Sequence, residues 1–284
     1  MLSILDVIQR SADFLAKRGV ASPRLQVELL LAHALKMPRM KLYLNFERVL
    51  SEAELDALRA LVQRRGQREP LQYIVGSTSF CGIEVGLNPS VLIPRPETEL
   101  LAERAWVFLN QLADAPIALD LCAGSGCLAI ALAVNAPKSR VHAVEISGEA
   151  LALARENAAK HGAQIEFHEG DFFSAAPPDL RCDVIVSNPP YIPSSRIEAL
   201  EPEVRDYEPR LALDGGADGQ DFYRKIAAQG RGFLRPEGRV MLELDEDGAE
   251  ATRKIFVNEG WEVEALEKDY NGQARILIAH LNRR

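Results

Sequence analysis

The stretch Ile117-Ala118-Leu119-Asp120-Leu121-Cys122-Ala123-Gly124-Ser125-Gly126 decides the fold, because an apolar segment ends there in a glycine loop. Ile117–Leu121 predicts a buried strand, and the apolar run from Cys127 predicts a helix directly after the loop. Glycines at such a junction let the backbone approach a ligand closely and adopt dihedral angles that other residues resist. A strand, a glycine loop and a helix in this order are typical of a nucleotide-binding unit.

Strands and helices continue to alternate after this unit. The strand candidates are Ile117–Leu121, Val141–Glu145, Ile165–Glu169, Val184–Asn188 and Arg239–Leu244. Ser147–His161 is the clearest helix between them, with Ser147 as its N-cap and Gly162 just past its end. This alternation predicts an α/β fold with a mostly parallel sheet and helices on both faces.

Residues 1–75 predict helices alone. Ser22-Pro23 reads as an N-cap followed by a proline at the first helical position, and Ser51-Glu52-Ala53-Glu54 reads as a capping box. Short extended segments broken by glycines follow, and they predict a β-hairpin. We therefore expect a helical domain over 1–75, a hairpin linker over 76–93 and the α/β domain over 94–284.

The charge of the chain limits its partners. It has 33 Lys and Arg against 41 Asp and Glu, a net charge of −8, which disfavours a protein whose main task is to coat nucleic acid. Residues 1–75 hold 12 basic and 8 acidic residues, and the remainder holds 21 and 33. The acidic excess thus belongs to the α/β domain, which suits a basic protein partner better than a polyanion.

The sequence offers no clear membrane span, signal peptide or cysteine motif. No apolar run reaches the roughly 18 residues of a membrane span, and Asp6 and Asp13 do not fit a signal peptide. The four cysteines form no C-x-x-C pair, and no histidine lies at zinc-ligand spacing from them. We expect reduced thiols, no metal, no membrane partner and a cytoplasmic location.

The glycine loop by itself leaves the ligand open. Glu145 ends the next strand 19 residues after Gly126, where a carboxylate can bind a ribose diol. Gly124–Ala129 also fits the dinucleotide pattern G-x-G-x-x-A, so S-adenosylmethionine, a dinucleotide and a structural turn all remain compatible with it.

Asn188-Pro189-Pro190-Tyr191 distinguishes between these possibilities. Proline has no N–H and pushes the preceding residue out of the helical region, so Asn188 is held extended with its amide oxygen free to accept a hydrogen bond. The two prolines and the aromatic ring form a wall for a planar group. Because this motif follows a strand, together with the glycine loop and Glu145, we interpret it as a binding site and not as a stiffened loop.

Asn-Pro-Pro-Tyr after the fourth strand resembles the signature of methyltransferases that modify amide or exocyclic amino nitrogens. Further segments narrow the resemblance to the HemK family, the bacterial release factor glutamine methyltransferases; they are Gln72–Gly76, Leu92–Glu99, Ser187–Pro193 and Glu208–Leu213. The similarity covers nearly the whole chain. Its most specific part, P-R-P-E-T-E from Pro94, favours the release factor enzyme over the relative that acts on a ribosomal protein. Cys122 stands where the family usually has glycine, and Glu145 stands where it usually has aspartate. The run 243–248 is more acidic than the resemblance leads us to expect.

The resemblance implies a Rossmann-like class I methyltransferase domain with a mostly parallel seven-stranded sheet. S-adenosylmethionine would be the methyl donor, and S-adenosylhomocysteine the product. The acceptor would be the side-chain amide nitrogen (N5) of the glutamine in the Gly-Gly-Gln motif of class 1 peptide chain release factors, which act in translation termination. Asn188 Oδ1 and the Pro189 carbonyl would accept from the two amide protons, while Pro190 and Tyr191 would fix the amide plane.

The same resemblance implies the cofactor site. It comprises Cys122, Ala123, Gly124, Ser125, Gly126, Glu145, Asp171, Phe172 and Asn188, with Asp171 and Phe172 at the adenine. Arg95, Glu97 and Thr98 are expected along the substrate channel, and residues 1–75 are expected to dock the substrate.

Other functions share part of the pattern. A DNA or RNA amino-methyltransferase shares N-P-P-Y but would normally bring a basic target-recognition region. An NAD-dependent oxidoreductase fits the loop but leaves N-P-P-Y unexplained, and a non-catalytic binding module would be expected to lose Asn188 or Glu145. We therefore expect an enzyme that modifies a protein and does not bind nucleic acid directly.

Overall fold

The computed structural model describes residues 2–282 of the chain. The helices are α1 (Ile4–Lys17), α2 (Pro23–Ala34), α3 (Arg39–Tyr43), α4 (Glu52–Gly66), α5 (Leu71–Val75), α6 (Pro96–Gln111), α7 (Cys127–Asn135), α8 (Gly148–Lys160), α9 (Pro202–Arg205), α10 (Asp221–Gln229) and α11 (Ala249–Asn258). Short 3₁₀ turns cover Phe172–Ser174, Ser194–Ala199, Arg210–Ala212 and Gly230–Phe233.

The strands form two sheets. They are β1 (Ser77–Phe80), β2 (Ile83–Gly86), β3 (Ile117–Leu121), β4 (Arg140–Glu145), β5 (Ile165–Glu169), β6 (Cys182–Ser187), β7 (Leu234–Glu243), β8 (Trp261–Lys268) and β9 (Ala274–Leu281). β1 and β2 form the predicted hairpin, and the other seven form one sheet in the order β5-β4-β3-β6-β7-β9-β8. Five of these strands run parallel and β9 pairs antiparallel with both neighbours, which confirms the mostly parallel sheet of seven strands.

Strand order places a crevice beside the glycine loop. From β3 the chain moves outward through β4 and β5, and then returns to the other side of β3 with β6 and β7. In register, Leu121 lies opposite Val144 on one side and Ser187 on the other. The strand order therefore reverses between β3 and β6, and ligands of open α/β sheets bind at the carboxyl ends of the strands at such a point.

Helices cover both faces of the sheet. Side chains alternate along β3, so Leu119 and Leu121 face one way and join a core with Tyr223 of α10 and Phe256 of α11. Asp120 faces the other way, where its carboxylate accepts a hydrogen bond from the Ala129 N–H of α7 at 3.1 Å. This arrangement confirms the α/β class.

The described chain divides into two compact units. The helical unit ends at Ser77 and also contains Glu201–Tyr207, and the α/β unit comprises Thr78–Leu200 and the chain from Glu208 onward. The predicted linker 76–93 is therefore not a separate segment, since nearly all of it belongs to the α/β unit. The return of residues 201–207 to the helical unit was not predicted.

The helical unit has its own apolar core, supplied mainly by α1, α2 and α4. The capping box at Ser51 is confirmed, because its Oγ accepts from the Glu54 N–H while the Glu54 carboxylate accepts from the Ser51 N–H at 2.9 Å. Ser22 is the N-cap residue of α2 and Pro23 begins the helix, as predicted, but Ser22 adopts a left-handed φ of 48° and its side chain makes no cap hydrogen bond. No helix within residues 2–282 has the length and apolar character to span a bilayer.

Candidate active site

A cavity of about 560 Å³ lies at the carboxyl ends of β3, β4 and β6, inside the α/β unit. Its volume is within the range of small-ligand sites. Of the residues predicted for the site, nine line this cavity: Cys122, Ala123, Gly124, Ser125, Glu145, Asp171, Phe172, Asn188 and Pro190. Gly126, Pro189 and Tyr191 are outside its wall. The predicted cofactor loop and the predicted Asn-Pro-Pro-Tyr motif thus share one cavity.

Glu145 holds the glycine loop. One carboxylate oxygen accepts from the Gly124 N–H at 2.8 Å, and the other accepts from the Ser147 N–H at 2.9 Å. The residue is 8% exposed and lies on the cavity wall. The carboxylate that was predicted to bind a ribose therefore also links the loop after β3 to the start of α8.

Asn157 fixes the other side of this loop, and sequence reasoning missed it. Its Nδ2 donates to the Ser125 carbonyl at 2.9 Å and to the Gly86 carbonyl at 3.1 Å, and its Oδ1 accepts from the Gly86 N–H at 2.8 Å. Asn157 is 3% exposed, so these bonds are shielded from water. One amide on α8 thereby joins the β1–β2 hairpin to the glycine loop.

Two residues of the site adopt left-handed backbone angles that favour glycine. Cys122 has φ 62° and Phe172 has φ 49°. Such angles cost a non-glycine residue about 1 kcal/mol or more and are concentrated at functional sites. The left-handed angle gives a physical reason for the glycine that the family usually carries at the position of Cys122.

Two aromatic rings and a lysine form part of the cavity wall. Phe172 stacks on Phe222 with ring centroids 5.2 Å apart, and the Lys225 ammonium lies 5.5 Å from the Phe172 ring. Lys225 also lies 3.6 Å from the Asp171 carboxylate. Phe173 turns into the core and stacks on Phe233. Phe222 and Lys225 carry no local sequence signal, because they come from α10, about 50 residues further along the chain.

Asn188 is the first residue after β6 and is held on a chain of hydrogen bonds. Its Nδ2 donates to Thr98 Oγ1 at 3.1 Å, and the Thr98 hydroxyl donates to Glu243 at 2.5 Å. The Tyr191 hydroxyl donates to the other oxygen of Glu243 at 3.3 Å. Tyr191 therefore directs its polar end away from the cavity and towards the end of β7.

Glu243 is an unusual member of this chain, since it is 2% exposed. Burial raises the pKa of its carboxyl to about 7, although the hydrogen bonds from Thr98 and Tyr191 oppose the shift. Sequence reasoning placed Thr98 along the substrate channel, and Thr98 does line the cavity. It assigned no role to Glu243.

Arg95 and Glu208 form a part-buried ion pair beside residues that line the cavity. The Arg95 guanidinium donates to the Glu208 carboxylate at 2.6 Å, and the Glu208 side chain is 1% exposed. Both residues belong to segments on which the family resemblance was based. Their neighbours Pro94 and Pro209 line the cavity, so the ion pair holds two parts of the wall together.

A separate cluster on β4 and β5 has the composition of a metal site. The ligand atoms of His142, Glu166 and His168 all lie within 4.8 Å of one another. His142 Nδ1 lies 3.1 Å from His168 Nε2, which is a hydrogen bond between two neutral rings, and burial lowers the pKa of both histidines. Glu166 is further paired with Arg140 at 3.5 Å. These contacts account for the cluster without an ion.

Comparisons with known proteins follow the same division of the chain. A family model described as the PrmC N-terminal domain matches residues 6–76, and one described as the methyltransferase small domain matches residues 102–200. A release factor glutamine methyltransferase of Geobacter sulfurreducens is 46% identical over 97% of this chain and 95% of its own length. The enzyme of the same name from Chlorobaculum tepidum is 42% identical over 95% of this chain and 94% of its own length.

Solved structures agree at the level of the fold. A methyltransferase from Pyrococcus furiosus matches with a TM-score of 0.52 and 18% identity over 77% of this chain and 98% of its own. The T. thermophilus 16S rRNA N2 G1207 methyltransferase matches with a TM-score of 0.51 and 20% identity over 72% of this chain and 50% of its own. The α/β unit thus has a class I methyltransferase fold, as predicted.

Proposed function

The chain belongs to the release factor glutamine methyltransferase family, and on this premise we propose that it methylates the side-chain amide nitrogen of the glutamine in the Gly-Gly-Gln motif of peptide chain release factors. The observation that carries the proposal is that Asn188 and the glycine loop line one cavity. A methyl donor on the loop and an amide at Asn188 would therefore face each other.

The cavity suits S-adenosylmethionine as the donor. Nothing lies within 4 Å of the position that a Cβ would take on Gly124, so there is open space beside the loop for a ligand. The Ser125 hydroxyl is buried on the cavity wall and has no hydrogen-bond partner among the described residues, so it is available to a polar ligand group. Glu145 offers carboxylate lone pairs to ribose hydroxyls, and Phe172 offers an apolar ring to adenine.

The chain's own contribution to the reaction is orientation. S-adenosylmethionine, when bound, would supply a methyl group on a positively charged sulfur; transfer would break the S–C bond, form an N–C bond and release one proton of the amide nitrogen to water. An amide nitrogen is a poor nucleophile because its lone pair is delocalised into the carbonyl. Asn188 Oδ1 accepts one amide proton of the substrate glutamine, which orients the nitrogen lone pair and stabilises the positive charge that develops there.

We assign the helical unit to docking of the release factor. The family match over residues 6–76 and the basic excess of residues 1–75 distinguish this unit from the acidic remainder. The basic excess of residues 1–75 and the acidic excess of the remainder can each attract oppositely charged parts of a large protein substrate.

The test is an incubation with labelled S-adenosylmethionine and either a release factor or duplex DNA. Label is expected in the release factor alone, on the glutamine of its Gly-Gly-Gln motif by peptide mass analysis. Asn188→Ala should abolish turnover while calorimetry shows S-adenosylmethionine affinity within about threefold of the parent, because one lost hydrogen bond to the substrate leaves the donor contacts intact.

Asn258→Ala serves as the control, since Asn258 lies exposed at the end of α11. It should turn over like the parent. Persistent methylation by Asn188→Ala would show that Asn188 is not the acceptor of the substrate amide proton. Labelled DNA would favour a nucleic-acid amino-methyltransferase, and tight binding of NAD would favour an oxidoreductase.

A further inference from the structure

We propose that Thr98 and Glu243 are positioning residues that fix the Asn188 amide with its oxygen towards the substrate, so that the enzyme is active only while Glu243 is ionised. The proposal rests on the proposed function, because it names what holds the acceptor group of that same site. Neither residue was assigned this role by sequence reasoning.

The direction of each hydrogen bond follows from the chemistry of the three groups. An ionised carboxylate can only accept, so the single hydroxyl proton of Thr98 points to Glu243 at 2.5 Å. Thr98 Oγ1 then has only lone pairs left for Asn188, and the group that faces it at 3.1 Å is the NH₂ of the amide. Asn188 Oδ1 is consequently directed away from Thr98, and it has no hydrogen-bond partner among the described residues.

This orientation is the one that methyl transfer needs. The substrate amide nitrogen carries two N–H donors, so the group facing it must be an acceptor. The two ends of an asparagine amide have nearly the same shape, and packing alone cannot choose between them. The choice is made by Glu243, two hydrogen bonds away.

The carboxylate is held from several elements. The Tyr191 hydroxyl donates to the second carboxylate oxygen of Glu243 at 3.3 Å. The Tyr223 hydroxyl of α10 donates to the main-chain carbonyl of Glu243 at 2.7 Å. Glu97 of α6 raises the pKa of Glu243, and Arg275 of β9 lowers it. Thr98 is 3% exposed and Glu243 is 2% exposed, so water does not compete for these bonds.

We call the two hydrogen bonds that join Asn188, Thr98 and Glu243 the relay. When Glu243 is protonated, the donor and acceptor roles in the relay are no longer fixed. A neutral carboxyl group can donate to Thr98 Oγ1, which leaves the Thr98 hydroxyl free to donate to Asn188 Oδ1 once the amide has rotated. The NH₂ of Asn188 then faces the N–H donors of the substrate. Burial raises the pKa of Glu243 to about 7, so this loss occurs as the pH falls through neutrality.

The first experiment measures the pH dependence of kcat on a release factor at saturating substrates. For a group with a pKa of about 7, the ionised fraction and hence kcat should be about tenfold lower at pH 6 than at pH 8. Glu243→Gln does not titrate, and its amide oxygen can accept from Thr98 at either pH, so its kcat should differ by less than about twofold between them. Glu259→Gln, at an exposed glutamate, should keep the parent ratio.

The second experiment removes the relay at Thr98. Thr98→Val keeps the shape and lacks the hydroxyl, so kcat should fall by about tenfold to a hundredfold, with KM for the release factor and the affinity for S-adenosylmethionine nearly unchanged. Thr98→Ser retains the hydroxyl and should restore most of the turnover. A variant that merely damaged the fold would lose donor affinity as well, and Thr98→Ser would then not differ in this selective way.

A third measurement follows the relay without a substrate. The ¹⁵N-resolved NMR signals of the Asn188 side-chain amide should shift with an apparent pKa near 7 in the parent and stay constant in Glu243→Gln. A parent that fails to methylate release factors but shows this titration would reject the proposed function and keep the relay. A parent that methylates release factors, with full kcat in Thr98→Val or an unchanged pH ratio in Glu243→Gln, would reject the relay.

Discussion

Gly215 packs directly against Tyr191. A Cβ built on Gly215 would lie 2.8 Å from the Tyr191 Cα and 2.8 Å from the Pro190 carbonyl oxygen. The contact is held by main-chain hydrogen bonds, in which the Gly215 N–H donates to the Ile192 carbonyl at 2.9 Å and the Ile192 N–H donates to the Leu213 carbonyl at 3.0 Å. The Asn-Pro-Pro-Tyr motif therefore rests on a second segment of the chain that only glycine allows so close.

Gly215→Ala should reduce kcat for release factor methylation by about a hundredfold, because the new methyl group would push Pro190 and Tyr191 aside and displace Asn188 with them. S-adenosylmethionine affinity should change little, since the glycine loop is not involved. Gly232→Ala is the matched control, for nothing lies within 4 Å of a Cβ built there. Equal kcat in the two variants would show that the contact does not position the motif.

Asn157→Ala should lower the free energy of unfolding by about 2–4 kcal/mol, because it leaves three main-chain groups of Gly86 and Ser125 without partners in a buried place. The affinity for S-adenosylmethionine should fall as well, since Ser125 is part of the cavity wall. Urea unfolding and calorimetry measure the two effects. Asn258→Ala should reproduce the parent in both, and an Asn157 variant equal to it would contradict the role of this amide.

Glu145→Ala should weaken S-adenosylmethionine binding by about tenfold to a hundredfold, because it removes both the support of the Gly124 N–H and the carboxylate offered to the ribose. At saturating donor, kcat should recover much of its parent value. Glu149→Ala is the control, since Glu149 also lines the cavity but is exposed. Unchanged affinity in Glu145→Ala would exclude Glu145 from the donor site.

Glu28→Ala should lower the free energy of unfolding of the helical unit by about 1–2 kcal/mol, because it removes the hydrogen bonds of a buried carboxylate whose partners are exposed enough to bond to water instead. The Glu28 side chain is 2% exposed and accepts from Tyr43 at 2.7 Å, Arg24 at 3.0 Å and Arg39 at 3.2 Å. Urea unfolding of the full chain at pH 7 measures the loss. Glu47→Ala, at an exposed glutamate, should lose less than about 0.5 kcal/mol.

The same glutamate has a defined pH dependence. Burial acts to raise the pKa of Glu28, but the hydrogen bonds from Tyr43 and Arg24 prevail and hold it below the ordinary value of 4.5. Its stabilisation is therefore complete above that ordinary value and is lost as the pH falls through the lower pKa of the folded state. The difference in unfolding free energy between the parent and Glu28→Ala should shrink as the pH is lowered step by step below 4.5, and a constant difference would contradict the ion pair.

The parts of the site that could be predicted from the sequence are those in which chemistry and local structure coincide. The glycine loop, Glu145 and Asn188 each follow a strand directly, so the parallel sheet brings them to one edge. That these residues lie close together could therefore be predicted without knowing how the rest of the chain packs.

The parts that could not be predicted depend on contacts between distant segments. Thr98 and Glu243 are 145 residues apart in the chain, and Asn157 meets Gly86 across 71 residues. The acidic run 243–248, unexplained as a sequence, is accounted for by such contacts: Glu243 joins the relay, Glu246 pairs with Arg275 at 3.1 Å, and Asp247 pairs with Arg196 at 3.0 Å.

The helical unit cannot be separated by a single cut in the chain, because residues 201–207 belong to it as well. The polypeptide passes between the two units at Ser77–Thr78, Leu200–Glu201 and Tyr207–Glu208. The carboxylate of Glu203, 12 residues beyond Tyr191, accepts hydrogen bonds from Arg65 at 2.8 Å and from Arg68 at 2.6 Å. A truncated protein that starts at residue 76 would leave this segment without its arginines, so its lost activity would not measure docking. A nick in the chain after Ser77 would instead keep Arg65 and Arg68 bound to Glu203, so the two fragments should stay associated through residues 201–207.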